Sequence, residues 1–118
     1  MKKNKPVYVL TILLLGLSSA VAQDPGEIRN FLRVNKDFCT GGQPKLEHLE
    51  KLKADRVKSV LNLRQPSEHR PADEEAKAKE LGLRYFNIPV AYGNPNEEQV
   101  AEFLKITDDP DNRPIFIH

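Results

Sequence analysis

Lys58-Ser59-Val60-Leu61-Asn62-Leu63 is the stretch on which the fold turns. It is β-branched and apolar, with few polar interruptions. A strand with one wet face alternates polar and apolar residues, whereas one covered on both faces does not. Gln65-Pro66-Ser67 breaks it. Pro114-Ile115-Phe116-Ile117 has the same character and is followed by His118. Before the first stretch, Pro44 to Ala54 places Leu46, Leu49 and Leu52 at helical spacing among charged neighbours, and Pro44 suits a first helical turn. After it, Ala72 to Leu81 is charged and alanine-rich. Ala72, Ala76 and Leu81 are expected on its buried face, and Gly82 is expected to cap it. Arg84 to Ile88 reads as a strand closed by Pro89. Glu97 to about Ile106 reads as a helix with Val100, Phe103 and Leu104 on one side. Short strands are expected around Phe31–Val34 and Asp37–Thr40, the second ending at Gly41-Gly42. The resulting order, two strands and then alternating helices and strands, predicts an α/β fold: a mostly parallel sheet with right-handed helical crossovers.

Both ends of the chain bear on its organisation. Lys2, Lys3 and Lys5 precede an apolar run of about 14 residues, short of the roughly 20 that span a bilayer, and Ala20-Val21-Ala22 offers a cleavage site. Residues 1–22 are therefore predicted to be a cleaved signal peptide, residues 23–30 a polar linker, and the mature product exported to a periplasm or the medium. The signal contains three of the 18 basic residues and no acid, so the mature part carries 15 basic against 17 acidic side chains. That balance offers no basic stripe for nucleic acid, and no stable membrane span is expected once the signal is removed. Cys39 is the only cysteine, so no intrachain disulfide is available to a domain of marginal size.

Four segments in matching order carry a family resemblance. They are Arg33-Val34 with Phe38-Cys39-Thr40-Gly41-Gly42-Gln43-Pro44, then Val57 to Arg64, then Gly82 to Val90, and finally Arg113 to His118. Together they resemble the tyrosine and dual-specificity phosphatases, in particular small bacterial members, over residues 31–118. Arg56 stands where that family usually has glycine. The resemblance implies hydrolysis of phosphate monoesters through a phosphocysteine intermediate, with no metal or cofactor. The implied substrate is a phosphorylated protein or a small phosphomonoester. It also implies that the nucleophilic cysteine would directly follow His118, with an arginine six residues later gripping the phosphoryl oxygens. Residues 31–118 are thus expected to be the N-terminal part of a phosphatase-like domain, inactive as it stands, with one sheet face short of cover and a tendency to aggregate.

Individual residues follow from the same resemblance. His118 would flank the thiolate and help keep it ionised. The family's general acid is an aspartate on the loop after the Ile-Pro-Val strand, but here Ala91 to Glu98 contains none. Glu97 is the substitute candidate, with Glu98 beside it, although acids in a first helical turn also answer the helix dipole. Arg64 could reach substrate, but an ion pair with Glu68 or Glu75 is the plainer role. Cys39 is expected to be an inert, partly buried thiol. His48 and His69 are expected to face solvent, and Asp73-Glu74-Glu75 with Lys77 and Lys79 to form a solvated helix face. Tyr92 is expected either to line the phosphoryl entrance or to pack on the following helix. Two rival functions remain: a catalytically dead phosphate-binding module and a sulfur-transfer enzyme.

Overall fold

The computed structural model describes residues 24–25, 27–68 and 70–118. The predicted signal peptide and His69 lie outside them. Among the described residues are five strands and three α-helices: β1 (Leu32–Arg33), β2 (Phe38–Thr40), α1 (Leu46–Ala54), β3 (Ser59–Asn62), α2 (Pro71–Glu80), β4 (Arg84–Asn87), α3 (Glu97–Asp108) and β5 (Ile115–Ile117). A single 3-10 turn, Pro110–Asn112, joins α3 to β5. The sheet order is β1-β2-β5-β3-β4, antiparallel only between β1 and β2. The last strand in sequence is therefore the middle strand in space.

That order decides which face each helix covers. The crossovers β2-α1-β3 and β3-α2-β4 both advance across the sheet, whereas β4-α3-β5 runs back. Right-handed crossovers travelling in opposite directions must lie on opposite faces. Accordingly, Leu49, Leu52 and Ala78 of α1 and α2 pack with Cys39, Val60 and Phe116 on one face. On the other, Ile106 of α3 packs with Leu61 and Ile115. All four residues of β3 are buried, as the unbroken apolar reading of that segment requires.

The buried face of α2 differs from the expected one. Glu74 and Ala78 are buried and Leu81 is half-buried, while Ala72 and Ala76 are exposed. Residues 74, 78 and 81 follow the i, i+4, i+7 rule that 72, 76 and 81 break. His48 is also buried and does not face solvent: its Nδ1 accepts the Lys45 N–H at 3.0 Å, which closes the first turn of α1. Leu46, in contrast, is 45% exposed.

Candidate active site

Ligands in parallel sheets bind beyond the carboxyl ends of the strands, where crossover directions reverse. His118 occupies that position here, directly after the central strand β5. Its backbone extends the sheet: its N–H donates to the Leu61 carbonyl at 3.0 Å, and its carbonyl accepts from the Leu63 N–H at 2.7 Å. The Gly41 N–H donates to the Ile117 carbonyl at 3.2 Å. A Cβ on Gly41 would lie 2.9 Å from Ile28 Cγ2 and 3.1 Å from the Phe116 ring, so a side chain there would push the β2 loop away from β5.

The His118 ring turns inward, toward the α1/α2 face, and stacks on Phe116 with centroids 5.5 Å apart. Its Nε2 lies 2.7 Å from Glu74 Oε2, and both side chains are almost wholly buried. Glu74 Oε1 accepts from Gln43 Nε2, also at 2.7 Å. The Tyr85 hydroxyl lies beside the same carboxylate and accepts from Asn62 Nδ2 at 2.8 Å. Asn62 Oδ1 in turn accepts the Arg64 N–H at 2.8 Å. Side chains from the β2 loop, α2, β3, β4 and the end of β5 thus converge on one buried polar network. Burial alone would raise the Glu74 carboxyl; hydrogen bonds from His118 and Gln43, the His118 charge and the neighbouring Tyr85 hydroxyl outweigh it and hold the carboxyl below its ordinary range. The stabilisation is therefore present above the unfolded carboxyl pKa and is lost as pH falls through the lower folded value.

Glu74 and Gln43 are the residues that reading the sequence missed. Glu74 does not belong to a solvated face; it sits inside, and only its i, i+4 relation to the buried Ala78 signals this. Arg64 lies where expected, just past β3, and pairs with Glu68 at 3.3 Å and not with Glu75, which pairs with Lys79. Its Nε is buried with no hydrogen-bond partner, so the exposed pair leaves part of the guanidinium unused. Glu97 is exposed in the first turn of α3, at the same end of the sheet as His118. Gln99 fixes the loop before it, accepting from the Asn96 N–H and donating to the Pro89 carbonyl. Tyr92 is fully exposed, so it does not pack on α3. Cys39 is deeply buried, with Sγ 3.6 Å from the Ile115 carbonyl. Burial is the main cause that pushes its thiol up to about 11, which is incompatible with a nucleophile at neutral pH. Among the described residues, no group of histidine, cysteine and acidic side chains could hold a metal ion, and no helix is long and apolar enough to cross a membrane.

Comparison with known proteins identifies the family and supports the fold. The family model described as "DSP-PTPase phosphatase fused to NAD+ Kinase" matches residues 20–118. No curated protein matches significantly. Among solved structures, a DUF442 phosphatase candidate from Shewanella putrefaciens CN-32 is 27% identical, with a TM-score of 0.69 over 77% of this chain and 61% of its own. The core catalytic domain of the PP-IP phosphatase SIW14 from S. cerevisiae, solved with citrate, is 25% identical, with a TM-score of 0.66 over 77% of this chain and 56% of its own. TpbA of P. aeruginosa, solved with phosphotyrosine, is 19% identical, with a TM-score of 0.63 over 83% and 56%; this likeness is one of fold. The chain thus spans about three-fifths of the length of the structures it matches.

Proposed function

The chain belongs to the family of DSP-PTPase phosphatases fused to NAD+ kinase, and from that premise we propose that the complete protein hydrolyses phosphate monoesters through a cysteine thiolate. One observation carries the reading most directly. His118 continues the central strand and is hydrogen-bonded to β3 on both sides of its peptide. The residue after it therefore emerges at the carboxyl edge of the sheet, between the β2 loop and the loop bearing Arg64. In the proposed reaction, the thiolate at that next position attacks phosphorus and the ester oxygen leaves with a proton from an acid. Water then cleaves the phosphocysteine to release inorganic phosphate. Glu97 is the proposed acid. The orphan Nε–H of Arg64 supports a secondary part in meeting an anion.

The ligands bound in the related structures, phosphotyrosine for TpbA and citrate for SIW14, support an anionic substrate, either a phosphorylated protein or a small phosphomonoester. Export to a periplasm or the medium is proposed on the basic and apolar start of the chain. A second reading, phosphate binding without turnover, is favoured by the absence of any aspartate between Ile88 and Asn96. Aryl phosphate turnover by the full-length product separates the two. Turnover that disappears when the cysteine directly after His118 is changed to serine supports the enzyme. A different residue at that position, or turnover that survives the change, refutes it.

A further inference from the structure

An ionised carboxylate under the surface of a helix is costly unless donors surround it, and removing one partner of such a pair leaves an uncompensated charge. Every other acid of α2 is at least partly exposed, and the next buried position, one turn on, is Ala78. An apolar side chain at position 74 would have served packing alone. Instead, the carboxylate is approached by His118 at 2.7 Å and Gln43 at 2.7 Å, and by the Tyr85 hydroxyl. Two of these donors come from segments that frame the proposed phosphate site: the β2 loop and the residue before the nucleophile.

We propose that Glu74 is the positioning residue of this site, which holds the His118 ring with a proton on Nε2 and keeps it against Phe116 beneath the position of the nucleophile. This rests on the phosphatase reading above. The carboxylate can only accept, so the ring nitrogen facing it must donate, and that fixes both tautomer and ring orientation. A ring so anchored against Phe116 stays beside the thiolate position, whereas one released from Glu74 can turn away, leaving the thiolate with fewer polar partners and its thiol nearer the ordinary value. The groups facing the pair are Gln43 from the β2 loop, Tyr85 from β4 and Asn62 from β3, with Glu75 near Tyr85. None of them supplies a second cation. Glu74 touches no reacting atom and acts only through His118.

The test uses the full-length protein and Glu74→Gln, which keeps shape and an acceptor but removes the charge. Alkylation of the site cysteine by iodoacetamide is followed against pH, and the ring nitrogens of His118 are followed by NMR. In the folded variant the alkylation midpoint is expected to move alkaline by about one pH unit, so that labelling below the midpoint slows about tenfold. The wild-type spectrum should show a downfield, slowly exchanging Nε2 proton on His118. A Glu74→Gln protein with an unmoved midpoint overturns the proposal, because a purely structural role lowers stability without moving it. If Glu74→Gln does not fold, the wild-type ring spectrum decides alone: a His118 lacking the bonded Nε2 proton overturns the proposal. Should wild type turn over no phosphate ester, the phosphatase reading fails, while the same spectrum still decides whether Glu74 holds the ring.

Discussion

Arg56 has a φ of 70°, in the left-handed region that costs a side-chain-bearing residue roughly 1–2 kcal/mol. The reason is the end of α1. The Val57 N–H reaches the Leu52 carbonyl and the Arg56 N–H the Lys53 carbonyl, both at 3.0 Å. This is the Schellman pattern, with Leu52 and Val57 both in the core cluster. α2 ends in the same way, with Leu83 bonded to Ala78 at 2.8 Å and Gly82 to Lys79 at 3.0 Å. There the left-handed position is filled by glycine, with φ 79°. Arg56→Gly is therefore expected to stabilise the protein by about 0.5–1 kcal/mol, part of the relief being offset by glycine's freedom in the unfolded chain. An unchanged or lower urea midpoint would refute this. The glycine stops and His118 were legible in the sequence because each depends on a local backbone need or on motif order. Glu74 and His48 were not, because a charged residue next to other charged residues gives no sign of pointing inward. Their burial is decided by the phase of the helix against a sheet that sequence spacing alone does not orient.

At the scale of elements, strand and helix order was readable throughout, and boundaries moved only by a residue or two. α3 runs to Asp108, beyond the expected end near Ile106, and the Thr107 hydroxyl bonds back to the Phe103 carbonyl at 2.9 Å. Pro110 then prevents continuation. The helix starts more firmly than it ends. The Asn96 side chain accepts the Gln99 N–H at 2.8 Å and Gln99 reaches back to the Asn96 N–H, a reciprocal cap. Because the same Gln99 also holds the Pro89 carbonyl, the cap fixes the loop that leads to Glu97. Asn96→Ala is expected to cost about 1 kcal/mol and to speed proteolysis within residues 90–96. An unchanged denaturation midpoint together with unchanged cleavage would show that the cap does not restrain this loop.

The two faces of the sheet are covered unequally, and this is a property of the whole arrangement. Over the α1/α2 face, Leu49, Leu52, Val60, Ala78 and Phe116 have essentially no exposure. Over the other face α3 is the only helix among the described residues, and Phe38, Leu63, Phe86, Val90, Phe103 and Ile117 are only partly buried. Val100 and Leu104 of α3 are 44% and 50% exposed, and an apolar cleft of about 240 Å³ opens between Leu63, Ile88, Val90, Pro95, Val100 and Phe103. The asymmetry follows from topology: two crossovers lie on one side and one on the other, so balance requires further cover on the α3 side. Contiguous apolar surface of this kind binds dyes and other chains. Residues 23–118 made alone are therefore expected to bind the dye ANS, and to melt broadly and with aggregation. Replacing Val100 and Leu104 with polar helix formers such as glutamine should reduce both effects without harming the opposite core. A sharp, reversible melt of the unaltered fragment with no dye binding would mean that α3 covers its face sufficiently and that the imbalance has no thermodynamic consequence.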